Sequence, residues 1–289
     1  MSGKSAIEWT DRTWNPLAGC TRVTKGCENC YAFALHDQRH TFYLANNGLY
    51  PNGKPVAPQY AKPFSEIQLL PQRLEDPLHV KTPQRFFVNS MSDLFHSDVP
   101  DEYIRQVFDV MKRAHWHTFQ VLTKRAGRLR RLGPELEWPM NVWIGVSIEN
   151  DLVVARADAL RAVPAKVRFT SCEPLLGPLP SLNLEGIHWV ITGGESGLRA
   201  RPCNPDWVRD VRDRCVDAGV AFFHKQWGGR TPKAGGRELD GRTWDQFPVP
   251  HTNGQTLLLP QSSVDKRLAC EISQEEAALL NGFYGGVES

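Results

Sequence analysis

The chain has 289 residues, 41% hydrophobic, 23% charged and 10% aromatic, which excludes a disordered chain and fits an ordered globular protein. Its 34 lysines and arginines stand against 32 aspartates and glutamates, and this formal charge of +2 excludes a histone-like binder that acts through bulk charge. No run of about 18 apolar residues marks a membrane helix, and no apolar signal core follows Met1, so a cytoplasmic location is expected.

In chain order, a first strand is expected near residues 7–14. Cys20, Cys27 and Cys30 follow it, and residues 36–83, rich in Pro, Asn, Gln and Gly, read as an irregular insertion. From Arg85 onward short apolar runs alternate with amphipathic stretches. Strands are expected at 85–90, 118–122, 141–146, 166–170, 188–191 and 220–223. Between them, Ile104, Val107, Phe108, Met111 and Ala114 recur at helical spacing, and Asn150 is placed to cap a helix over 152–161. Asn204-Pro205 opens another helix, which Gly219 closes. Residues 228–289 show little periodicity before a short helix expected at 273–280.

Alternation of this kind implies βαβ units and a parallel sheet. The expected fold class is therefore α/β: an incomplete or full TIM-like (β/α) barrel of about six to seven parallel strands. It would span residues 1–228, with the insertion after its first strand and a C-terminal extension over 229–289. The structural rival is a doubly wound open sheet, although no Gly-x-Gly-x-x-Gly follows the first strand.

Polar residues recur just after the strands: Ser90-Met91-Ser92-Asp93, Thr123-Lys124-Arg125, Ser147-Ile148-Glu149-Asn150, Ser171-Cys172-Glu173, Gly193-Gly194-Glu195 and Lys225-Gln226-Trp227. Carboxyl ends of strands converge on the active site in parallel α/β folds, so the set points to a polar ligand there. Taken singly, Ser, Asp and Asn are also the residues of helix caps.

The cysteines lie in Gly19-Cys20, Gly26-Cys27 and Cys30-Tyr31. Two residues between Cys27 and Cys30 let one turn present both sulfurs to one metal centre, while Gly19 and Gly26 permit a tight loop and let amides approach the sulfurs. Structural zinc takes four ligands, and His36 or His40 is a candidate fourth. Three thiolates alone suit an iron–sulfur cluster with one open iron.

With six residues and then two between its cysteines, ahead of Tyr31 in a parallel α/β chain, this motif resembles that of the radical S-adenosylmethionine (radical SAM) enzymes. More closely, the chain resembles a phage- and prophage-associated family carrying the three-cysteine motif. The shared segments are Glu8-Trp9-Thr10, Trp14-Asn15-Pro16, the cysteine loop, 143–149, Glu173-Pro174-Leu175, 193–197 and Lys225-Gln226-Trp227-Gly228. The radical-enzyme resemblance implies a [4Fe–4S] cluster on Cys20, Cys27 and Cys30. Its free iron would bind S-adenosylmethionine, reductive cleavage would give a 5′-deoxyadenosyl radical, and an electron donor such as flavodoxin or ferredoxin would be needed. The pattern is also similar to spore photoproduct lyase, a radical enzyme that repairs DNA. By strand order that likeness implies Ser92, Lys124 and Ser147 as cofactor contacts, with Lys124 on the methionine carboxylate. Asn150 is the expected ribose contact, and Arg156 a second carboxylate contact if it faces the mouth. In many radical enzymes Gly-Gly-Glu follows the second strand, whereas Gly193-Gly194-Glu195 follows the sixth. Asp93 therefore takes the amino-group role here, and Glu195 faces substrate or adenine.

Arg125 and Arg199 near the mouth, with Trp227 as a stacking surface, admit a nucleic-acid substrate whose modification or repair would be the reaction. Cys172 at a strand end is a candidate hydrogen-atom donor, or else a buried small hydrophobe. Two further classes stand beside this one: a zinc-stabilised nucleic-acid-binding or accessory protein without catalysis, and a hydrolase using Glu173 and Glu195 as acid and base.

Overall fold

The computed structural model describes residues 3–249 and 257–258. Its elements in chain order are β1 (Gly3–Lys4), β2 (Arg12–Trp14), β3 (Leu17–Ala18), α1 (Tyr31–Ala45), β4 (Gln68–Leu69), β5 (Arg85–Val88), α2 (Asp101–Arg113), β6 (Thr118–Thr123), α3 (Ala126–Leu132), β7 (Val142–Ser147), α4 (Arg156–Arg161), β8 (Val167–Cys172), β9 (Trp189–Gly193), α5 (Pro205–Asp217) and β10 (Ala221–Gln226). Eight strands form one sheet in the order β1-β2-β5-β6-β7-β8-β9-β10, and β3 pairs with β4 apart from it. Only the β1–β2 pair is antiparallel; every other neighbour in the large sheet is parallel. The fold is thus α/β, with a mixed, mostly parallel sheet flanked by helices. Strand order follows chain order, without the reversal that marks a doubly wound sheet.

Both faces of the sheet are buried, which is why its strands read as apolar runs rather than as alternations. Phe86, Val88, Phe119, Val121, Ile144, Val146, Val190 and Phe222 pack with Ile104, Val107 and Met111 of α2 and with Val208, Val211 and Cys215 of α5. The alternate residues Phe87, Trp143, Val167, Phe169, Trp189, Ile191, Ala221 and Phe223 form a second cluster around Trp9. β5 and β9 are four ladder steps apart, roughly 19 Å in a flat sheet. Yet Phe87 and Trp189 both meet the Trp9 ring, at centroid separations of 4.7 and 6.2 Å. The sheet therefore curls toward this face, and Trp9 fills the hollow from the amino end of the strands.

Several local expectations change. The insertion expected over 36–83 begins within a regular helix, α1, whose periodicity is hidden because only Ala32 and His36 among its residues are buried. The helix expected over 152–161 divides into a 3-10 turn at Asp151–Val153 and α4. Residues after 228 first close over the last strand. Trp244 accepts from the His224 amide at 2.9 Å, Gln246 donates to Phe222, and Phe247 lies 5.1 Å from Trp189. This cover protects the exposed side of β10. The helix expected at 273–280, and Cys270, lie outside the described residues. Among the described residues no helix is long and apolar enough to cross a membrane.

Candidate functional site at the cysteine loop

Alternation along β6 to β9 brings Lys124, Ser147, Ser171 and Gly193 to the inner face at the carboxyl end of the sheet, and Lys225, at the register break in β10, joins them through Glu173. The cysteine loop is tied to the same end. Gly19 adopts φ 97°, and a Cβ there would stand 2.3 Å from the Glu66 carbonyl oxygen. It bridges to Ser92, while the Cys20 amide donates to the Phe64 carbonyl at 2.8 Å. A 3-10 turn at Lys25–Cys27 buries Cys27, and Cys30 is the N-cap of α1. Cys20 and Cys30 are half-buried, and none of the three is in a disulfide.

Two buried glutamates hold the loop. Glu149, 1% exposed, accepts from Thr24 Oγ1 at 2.8 Å and Lys124 Nζ at 2.7 Å through Oε1, and from Arg156 Nη1 at 2.9 Å through Oε2. Burial opposes its ionisation, but Lys124, Arg156 and the Thr24 hydroxyl prevail and keep the carboxyl below its ordinary range. Gly26 lies against it: a Cβ would fall 2.3 Å from Glu149 Cγ. The need for glycine at 26 is thus close approach rather than backbone angle. On the other side, Glu195 accepts from Arg201 Nη2 at 2.6 Å, from the Arg201 amide and Nε at 3.0 and 2.9 Å, and from Asn29 Nδ2 at 2.9 Å. Arg201 also reaches Glu28 at 3.1 Å and the Lys25 carbonyl at 2.9 Å. Burial again opposes the charge of Glu195, while Arg201 and Asn29 outweigh it and lower the pKa.

The Cys20 thiol donates to the Thr21 carbonyl at 3.5 Å and receives Arg125 Nη2 at 3.8 Å. That guanidinium nitrogen also donates to Thr21 O and Oγ1, each at 3.0 Å. His96 accepts from the Asp98 amide through Nδ1, which leaves Nε2–H to donate to Thr21 Oγ1 at 2.7 Å. Burial and the nearby Asp93 push the Cys20 pKa up to about 12, against the pull of Arg125.

The other expected site residues are placed as follows. Asp93 accepts from Thr123 Oγ1 at 2.7 Å and from the amides of Phe95 and Lys124 at 3.0 Å each, so it braces the turns after β5 and β6. Ser92 donates to the Leu17 carbonyl at 3.2 Å, and the Ser147 carbonyl accepts from Arg156 at 2.7 Å. Asn150 caps its 3-10 turn by accepting from the Leu152 amide. Glu173 accepts from Ser171 Oγ and from Lys225 Nζ, each at 3.0 Å. Cys172 is fully buried on the helix-facing side, its pKa raised by burial to about 12. His36 and His40 donate to the carbonyls of Lys62 and Tyr60, each at 2.8 Å. Trp227 packs 4.4 Å from His224.

Reading the residues alone missed Thr24, Asn29 and Arg201 as loop supports, and Asn89. Thr24 and Asn29 sit inside the motif, where a hydroxyl and an amide between closely spaced cysteines are a usable signal. Asn89 ends β5 at φ 64°, a region asparagine tolerates, with both carboxamide atoms buried and unpartnered.

Three free thiols on one loop are a soft donor set suited to iron–sulfur or zinc chemistry. Among the described residues no three His, Cys, Asp or Glu side chains are gathered about a single metal-ion position. A four-iron cluster takes each thiolate on a different iron, so its sulfurs stand wider apart than the ligands of one zinc. Beside the loop lies a cleft of about 490 Å³ lined by Val23, Phe95, Lys124, Arg125, Arg128 and Arg156. Lys124, Arg125, Arg128 and Arg156 give its lining four cationic side chains.

A family model described as Protein of unknown function (DUF5131) matches residues 4–248, most of the chain, and the chain belongs to that family. No curated protein and no solved structure matches it.

Proposed function

We propose that this DUF5131 member is an iron–sulfur, S-adenosylmethionine-dependent radical enzyme built on a TIM-like barrel, open or closed, whose mouth is the carboxyl end of the sheet. The observation that carries this reading is the position of Cys20, Cys27 and Cys30. Three unpaired thiols share one braced loop over the end of a parallel sheet where reactants gather in such folds. The three cysteines would hold a [4Fe–4S] cluster. When bound, the cluster and S-adenosylmethionine supply one-electron reductive cleavage of the sulfonium.

The remaining chemistry belongs to this chain. Glu149 and Glu195 act by holding the loop, not by touching substrate. Lys124 gives one of its three N–H donors to Glu149 and lines the cleft, so its other two serve the methionine carboxylate. Glu173, joined to Lys225 and Ser171 beside Gly193, is the carboxylate left to face substrate. For nucleic acid as that substrate the supporting residue is Arg199, exposed on the loop after β9; Arg125 and Trp227 turn inward instead.

A second reading, a zinc-stabilised binding protein without catalysis, draws on one specific observation. Lys124, Arg156, Glu149 and Glu195 are all engaged in bracing the loop, a task a structural metal site also needs. Anaerobic purification and iron reconstitution separate the two. About four irons per chain, with a brown colour lost in air, support the enzyme. A colourless protein with stoichiometric zinc under the same treatment overturns it.

A further inference from the structure

Buried and half-buried cations around the mouth are met by carboxylates. Lys124 and Arg156 pair with Glu149, Arg128 with Asp101, Arg201 with Glu195 and Lys225 with Glu173. Arg125 differs: among the described residues no carboxylate forms an ion pair with it. Its guanidinium is half-buried, its Nε is buried without a partner, and Nη2 is fixed by Thr21 against the Cys20 sulfur at 3.8 Å. Asp93, which braces the same turn, spends its oxygens on Thr123, Phe95 and Lys124. A half-buried cation without a carboxylate is costly unless another anion completes it. Among the described residues the acid that Arg125 contacts is the Cys20 thiol, which becomes anionic when a metal takes the place of its proton.

We infer that Arg125 is the counter-charge and hydrogen-bond donor of the metal-bound Cys20 thiolate, a positioning residue that raises the reduction potential of the cluster. The inference rests on the iron–sulfur reading above. A positive charge beside a ligand sulfur stabilises the reduced, more negative cluster over the oxidised one, and hydrogen bonds to sulfur act in the same direction. Thr21 and His96 hold the guanidinium in place.

The test is an anaerobic redox titration, followed by electron paramagnetic resonance, of iron-reconstituted wild type, Arg125→Gln and Arg125→Lys. Loss of one charge-assisted hydrogen bond lowers the reduced-to-oxidised ratio of Arg125→Gln about tenfold at a fixed poise. For a one-electron couple this is a fall of about 59 mV. Arg125→Lys keeps the charge and should lie between Arg125→Gln and wild type. Iron loss in Arg125→Gln with retention in Arg125→Lys also supports the inference, since charge rather than shape then decides. Equal iron and equal potential in all three proteins overturns it and leaves the cluster reading intact. Loss of iron and of native circular dichroism in both variants overturns it in favour of a packing role. Wild type that takes up no iron overturns the cluster reading itself, and this inference with it.

Discussion

Thr24 donates its hydroxyl to Oε1 of Glu149 at 2.8 Å, a contact between residues 125 apart in the chain. It ties the cysteine loop to the end of β7, and Lys124 and Arg156 keep the receiving carboxylate charged. Cysteine-loop geometry and sheet geometry therefore depend on the same buried side chain.

Glu149→Gln should cost about 3 kcal/mol of stability, because it strands two buried or half-buried cations rather than removing a balanced pair. Urea unfolding of the metal-free protein measures this. The same variant, with every cysteine intact, should lose metal on desalting. Metal retention equal to wild type would show that the Thr24 contact does not set the loop.

Acid sensitivity follows from the direction of the two glutamate shifts. Glu149 and Glu195 have folded pKa values below the ordinary glutamate value of 4.5. Below 4.5 the unfolded chain binds their protons before the folded chain does, so stability rises with pH across that window. It is fully present above 4.5 and lost as pH falls through the folded values. The acid unfolding curve of a Glu149→Gln, Glu195→Gln double variant should be flatter there than that of wild type. Parallel curves would count against the two carboxylates as the acid-labile groups.

Lys124→Met should weaken S-adenosylmethionine binding about tenfold, the worth of one charge-assisted hydrogen bond, while iron content stays at the wild-type level. Equilibrium dialysis against the cofactor gives the first number and iron analysis the second. Unchanged affinity would remove Lys124 from the cofactor site.

Thiol labelling reads the burial of Cys172 directly. Burial raises the Cys172 pKa, so its thiol stays protonated at pH 8 as well as hidden from reagent. It should resist iodoacetamide in the native protein and react on unfolding. Rapid native labelling at Cys172, located by peptide mass, would place it at the mouth after all.

Trp9→Ala should destabilise the fold by about 4 kcal/mol, as expected when a large aromatic leaves a cavity. Trp9 is 2% exposed and meets Phe87 and Trp189 from strands far apart in the sheet. Denaturation by urea measures the loss, and a change within about 0.5 kcal/mol, typical of surface positions, would mean the inner cluster closes without it.

The succession of strands and helices α2, α5 and part of α4 were legible in the residues because the signals are local, whereas α3 was not expected. Apolar runs at 85–90 and 141–146 became β5 and β7, and Asn204-Pro205 with Gly219 bounded α5, since capping and backbone conformation act within a few residues. The spacing of Cys20, Cys27 and Cys30 likewise put three thiols on one short loop before any fold was known. Helix α1 escaped because a helix that buries two residues leaves no periodic stripe. What the strand-end charges do was decided by tertiary structure alone. Glu195 could have faced a ligand, yet it meets Asn29 from 166 residues away, and Glu149 meets Thr24. The sequence by itself determined which charged groups arrive at the mouth. Only the folded chain decided which are spent on each other, because the partner of a buried charge is whichever opposite charge the curled sheet brings within reach, whatever their separation along the chain.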